Sequence, residues 1–107
     1  MPKPISNSIL EMMASKFKLI GEPTRLAILH TLMGGEEKNV GQVVVETGRS
    51  EANVSRHLKQ LAKAKMVARR KEGLQVFYRL TDQVIEQICR LVCGALLDQV
   101  QDQANAD

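Results

Sequence analysis

The sequence predicts a mainly α fold with one small β-hairpin, in the order helix, helix, helix, helix, strand, strand, helix. Three observations lead there. Apolar residues recur at helical spacing in every long stretch except 67–80, where the spacing drops to two. Gly48 reads as a helix stop and Ser50 as a fresh N-cap, and so tight a junction makes a helix-turn-helix. The stretch after Ser50 carries apolar residues on one side and cations on the other. At 107 residues the chain is expected to form one domain, 1–107, with room for only a modest core.

The first helix is expected over 8–20, where Ile9, Met12, Met13, Phe17 and Ile20 fall at helical spacing before Gly21. Pro23 suits the first position of a second helix, because its missing N–H costs nothing there. Leu26, Ile28, Leu29, Leu32 and Met33 should bury that helix, and Gly34-Gly35 should stop it. Glu36-Glu37-Lys38 reads as a charged loop. Asn39 is the N-cap candidate of a short third helix with Val40, Val43 and Val44 inside and Gly48 at its end.

The fourth helix runs from Ser50 to about Ala64, so the helix-turn-helix covers about 39–64. Val54, Leu58 and Leu61 form its inner stripe; Ala52, Arg56, Lys59 and Lys63 fall opposite. Small residues first and cations later suit a helix entering a major groove, although a solvated basic face would look the same. Val67, Arg69 and Lys71 then alternate with Ala68, Arg70 and Glu72, and beyond Gly73 Val76, Tyr78 and Leu80 alternate with Phe77 and Arg79. These two runs predict a hairpin over about 66–80. With Arg69, Arg70 and Lys71 leading into its tip, it reads as a wing lying on the nucleic-acid backbone or in the minor groove beside the site.

Charge is unevenly spread. Residues 39–80 hold nine cations against three acids, whereas the whole chain nets only +3. A positive block confined to one segment is what contact with phosphate requires. No apolar run is long enough to cross a bilayer, and Met1-Pro2-Lys3-Pro4 lacks the apolar core of a signal peptide. A cytoplasmic location follows as the expectation, with both cysteines reduced.

Thr81 is the expected N-cap of the last helix, about 82–103, and the polar tail after Gln99 is expected to fray. Val84, Ile85, Ile88, Leu91, Val92, Ala95, Leu96, Leu97 and Val100 cover more than half of the helix circumference. Such a helix needs cover on two sides, and a second copy of the chain is the expected partner. The methionine-rich first helix is its natural companion. The expected dimer contacts are Met13, Phe17, Ile88, Leu91, Val92, Ala95 and Leu96.

The chain closely resembles the ArsR/SmtB family of bacterial repressors in three stretches: Leu19 to Leu29, Val54 to Leu61 and Lys71 to Leu80. The resemblance implies a homodimeric winged helix-turn-helix on a palindromic DNA operator, released by a ligand or a chemical modification. Carried over by position, it places Ser50, Glu51, Ala52, Ser55 and Arg56 against DNA, with Arg69, Arg70 and Gln75 from the wing. Asn53, Lys59 and Lys71 complete the candidate surface. Glu51 departs from the glutamine of many relatives; glutamate accepts from cytosine N4 and is repelled by phosphate. His57 lies beside the apolar stripe, where packing and base contact are both open.

Relatives that bind metal use a cysteine-rich third helix or an Asp-His-His-acid set on the last helix. Here Glu37 to Gln42 has neither cysteine nor histidine, and the last-helix offsets give Asp82, Val84, Ala95 and Asp98, without the imidazoles zinc favours. Cys89 and Cys93 remain, at i and i+4. Cys93 resembles the cysteine of relatives that sense sulfide or oxidants, whose second cysteine is replaced here by His30. Helical i,i+4 Cβ atoms lie about 5–6 Å apart, too far for an unstrained disulfide. Thiol modification through extra sulfur atoms, a soft metal or metalloid such as arsenite, and plain packing all stay open at this pair. No cofactor is required by the fold. No phosphate loop, nucleophile–base set or catalytic metal motif is present, which argues against an enzyme. A winged helix that binds protein and not DNA is the other rival, and the basic block argues against it.

Overall fold

The computed structural model describes residues 4–105. Its elements are α1 (Asn7–Ile20), α2 (Pro23–Thr31), a 3₁₀ turn (Met33–Gly35), β1 (Glu37–Asn39), α3 (Val40–Thr47), α4 (Glu51–Lys63), β2 (Val67–Glu72), β3 (Gln75–Leu80) and α5 (Gln83–Asn105). This is a winged helix-turn-helix.

Most boundaries follow from side chains that satisfy the free amides of a helix start. The Ser6 hydroxyl accepts from the Ile9 amide, and the Glu22 carboxylate from the Arg25 amide with Pro23 at the first turn. Asn39 and Gln42 form a reciprocal capping box, both bonds 2.8 Å. Ser50 caps α4 through the Asn53 amide. Gly48 ends α3 at φ 68°, in the left-handed region where a Cβ is costly. The other end of α4 closes differently. Lys65 takes φ 60°, its amide donating to the Ala62 carbonyl and that of Met66 to the Leu61 carbonyl, both at 3.0 Å. This is a Schellman motif with lysine in the glycine position.

The core sits where α2, α3 and α4 meet the base of the sheet and the first turns of α5. Ile28, Leu29, Leu32, Val43, Val54, Leu58 and Leu61 are fully buried there. Each such aliphatic side chain contributes about 1.5–3 kcal/mol by leaving water. Met66, Val67, Tyr78 and Ile85 extend it. α3 packs through Val43, with Val40 and Val44 half-buried.

Four expectations need correction. Residues 37–39 are not loop: Glu37, Lys38 and Asn39 pair antiparallel with Arg79, Tyr78 and Phe77, giving a three-stranded sheet in the order β1-β3-β2. The cap of α5 is Asp82, whose carboxylate accepts the Ile85 amide at 3.1 Å, while the Thr81 hydroxyl donates to the Lys65 carbonyl. Leu26 is not buried but faces an open groove beside α5. α5 runs on as helix to Asn105, past the expected weakening after Gln99.

Candidate nucleic-acid interface

α4 is pinned from beneath by Val54, Leu58 and Leu61, which turns its other side to solvent. Ser50, Glu51, Ala52, Asn53, Arg56 and Lys59 are exposed there, and Ser55 is half-buried at the edge. The Arg56 guanidinium donates to the Asn53 side-chain oxygen Oδ1 at 2.9 Å, so two candidate base-reading groups hold each other ready. His57 is not on this surface. It is buried, and its Nδ1 accepts from Arg25 Nε at 3.2 Å, which resolves the two readings of this residue towards packing.

β2 and β3 are joined by the two-residue turn Gly73-Leu74, with Gly73 at φ 60°. Alternation divides the wing's cations. Arg69 and Lys71 share a face with Val67, opposite Tyr78 and Val76. Arg70 points the other way, opposite Phe77, and stacks over that ring at 4.8 Å. It also donates to Glu37 at 2.6 Å and to Glu72 at 2.6 Å. These carboxylates push its pKa up, and Arg70 in turn holds Glu37 below the usual carboxylate range. The wing therefore presents Arg69 and Lys71 as open cations, with Gln75 exposed beside the turn and Arg70 already matched.

The two thiols sit in unlike surroundings. Cys89 is 9% exposed and Cys93 is exposed. Burial pushes the Cys89 pKa up and the neighbouring Cys93 adds to the rise. Both line a groove of about 760 Å³, whose walls include Phe17, Leu26, His30, Met33 and Leu96. Among the described residues no three His, Cys, Asp or Glu side chains come together as a metal set. Asp82 is committed to its capping bond and to Lys16 at 2.8 Å.

Sequence reasoning passed over several positioning groups. Arg25 links α2 to α1 and α4, Arg49 Nε donates to the Thr24 hydroxyl at 3.1 Å, and the Glu86 carboxylate accepts the Gly34 amide at 2.6 Å. A glutamate directly before Pro23 was the one local signal, marking Glu22 as the cap that fixes the Arg25 amide.

The family model for bacterial regulatory proteins of the arsR family matches residues 22–69, from α2 into the wing. A transcriptional regulator of Methanocaldococcus jannaschii is 38% identical over 82 residues, 77% of this chain and 92% of that protein. This chain belongs to the ArsR family. The transcriptional repressor SdpR of Bacillus subtilis is a further relative of this ArsR-family protein, 31% identical across 69% of the chain and 81% of the repressor. Among solved structures, the antimony-specific repressor AntR superposes with a TM-score of 0.86 at 22% identity, over 94% of this chain and 90% of AntR, a likeness of fold. The protein is thus a DNA-binding transcriptional repressor of winged helix-turn-helix type, and its family consists of regulators, not enzymes. Among the described residues no helix is long and apolar enough to cross a membrane.

Proposed function

We propose that this ArsR-family repressor acts in the cytoplasm as a homodimer on an inverted-repeat operator. α4 enters the major groove with Ser50, Glu51, Ala52, Asn53, Ser55 and Arg56, and Lys59 reaches phosphate. Arg69, Lys71 and Gln75 carry the wing contact. The observation that supports this most is the division of α4, buried on its apolar stripe and open on its small and cationic side.

The dimer joins α1 and α5. Met13, Phe17, Leu91, Val92 and Leu96 are exposed although apolar, from 41% at Met13 to 74% at Leu91, and Ala95 lies among them. Surface of this kind on two neighbouring helices suits a second copy. Ile88 belongs more to its own core, where it is half-buried.

Release from DNA works through Cys93, by persulfide or oxidant chemistry or by a soft metalloid. Its exposure and its place on the dimer helix support that role, whereas the buried Cys89 behaves as a packing residue. In gel shifts on duplexes selected from a random pool, affinity should fall steeply with salt. Light scattering should give twice the monomer mass. A monomer at working concentration, or indifference to duplex DNA in dilute buffer, ends this reading. A Cys93→Ser variant that still releases on polysulfide and on arsenite ends the thiol part alone.

A further inference from the structure

The apolar underside of α4 sets how closely that helix sits but not its roll or its register, because burial is non-directional. Directional contacts must do that, and one side chain supplies most of them. Arg25 projects from the first turn of α2 and spends its planar fork on three acceptors. Nε donates to His57 Nδ1 at 3.2 Å, one terminal nitrogen to the Gln60 side-chain oxygen at 2.7 Å, and the other to the Leu19 carbonyl at 3.1 Å. His57 and Gln60 lie three apart on α4, on successive turns, so the fork grips that helix at two points. Two fixed points on a helix define both its rotation and its axial position. The Leu19 carbonyl is among those at the end of α1 that no helical amide satisfies, so the same side chain ties α1 into the joint.

The fork is itself aimed. The Glu22 carboxylate accepts the Arg25 amide at 2.9 Å and lies 3.8 Å from His57 Nε2. His57 is 7% exposed, so the grip on its ring lies inside the protein and not at the surface. Immediately before it in the chain stand Ser55 and Arg56, part of the outward face.

We propose that Arg25 is the positioning residue for sequence recognition in this repressor. It sets the roll and register of α4 through His57 and Gln60 without touching DNA. This rests on the reading of α4 as the base-reading helix. Lysine cannot substitute, since an ammonium has no planar fork to serve three acceptors at once.

The test uses the full chain and a duplex enriched from a random pool by the wild-type protein, against a scrambled duplex of equal composition. Affinity for both is measured at several salt concentrations, with circular dichroism melting of each variant. Arg25→Lys should lose about tenfold or more in the ratio of selected to scrambled affinity, specific binding being what alignment supports. Its affinity for scrambled DNA and its salt slope should match wild type, because no phosphate contact is removed. His57→Asn, which keeps an oxygen acceptor near the Nδ1 position, should stay closer to wild type than His57→Leu. If Arg25→Ala melts below the assay temperature, Arg25→Lys and the His57 pair carry the decision. Wild-type discrimination in Arg25→Lys overturns the proposal, as does a parallel loss on both duplexes, which marks a merely structural role. Arg56→Ala is the control: if it leaves discrimination intact, or if the wild type enriches no sequence, the base-reading role of α4 falls and this inference with it.

Discussion

The Met66 carbonyl accepts the Thr81 amide at 2.9 Å, and the Asp82 amide reaches the same oxygen at 3.3 Å. The turn that closes α4 is thereby bonded to the turn that opens α5. Asp82 then caps α5 and pairs with Lys16 of α1 at 2.8 Å. The end of α4 and both proposed dimer helices meet at one joint.

Asp82→Ala should weaken that joint. Loss of an N-cap costs about 1–2 kcal/mol, a fall of roughly 4–8 °C in Tm for a chain of this size. Asp82→Asn keeps a capping oxygen and should fall less in thermal unfolding followed by circular dichroism. Equal losses in the two variants would assign the effect to the Lys16 pair alone.

Lys65 holds a left-handed conformation that suits glycine. Lys65→Gly should stabilise the protein by about 1 kcal/mol, relief of the Cβ clash exceeding the added freedom of the unfolded chain. Lys65→Val should destabilise it. Urea unfolding measures both, and a destabilised glycine variant would contradict the turn.

Acid should weaken the fold through three carboxylates. The Arg25 amide lowers the Glu22 pKa, and Arg70 lowers that of Glu37. Partial burial raises Asp82, but Lys16 and the Ile85 amide outweigh it and leave the net value lowered. A carboxyl lowered on folding adds stability above its unfolded value and loses it as pH falls through the folded one. Stability should therefore be flat near neutrality and decline as pH drops below about 4.5, the ordinary glutamate value. Urea midpoints from pH 7 to pH 3 would reveal it; rising midpoints on acidification would refute it.

The thiols should react in order. Burial pushes the Cys89 pKa up and so lowers its share of thiolate, which is the nucleophile. Iodoacetamide at pH 7 should label Cys93 first, with Cys89 following at higher pH or on unfolding, as read by peptide mass spectrometry. Preferential labelling of Cys89 would reverse the roles given to the two.

The wing's cations should differ in effect. Arg69→Ala or Lys71→Ala should each reduce the salt slope of DNA binding by about one. Arg70→Ala should change it by less than half as much, and should lower stability by unpairing Glu37. Equal slopes for all three would show that Arg70 leaves Glu37 on binding.

Much of this was legible because it is local. Gly48 and Ser50 mark the helix-turn-helix within three residues, and the alternation from Val67 to Leu80 marks the wing. What escaped depends on distant partners. Glu37-Lys38-Asn39 has no apolar residue and is a strand only because β3 offers an edge. Arg70 looks like any wing cation until Glu37, 33 residues away, is brought beside it. Cys89 and Cys93 share a side of one helix, yet only Cys89 lies where α5 still rests on the core. Lys65 escaped for the opposite reason, since a lysine gives no hint of a turn that usually demands glycine.

From Leu91 onward every α5 side chain described is exposed, while the core is already complete at Cys89. In the proposed dimer, folding and partner choice are thus written in separate stretches of a single rod. Substitutions beyond Cys89 should therefore change assembly of the proposed dimer while leaving the folded body intact.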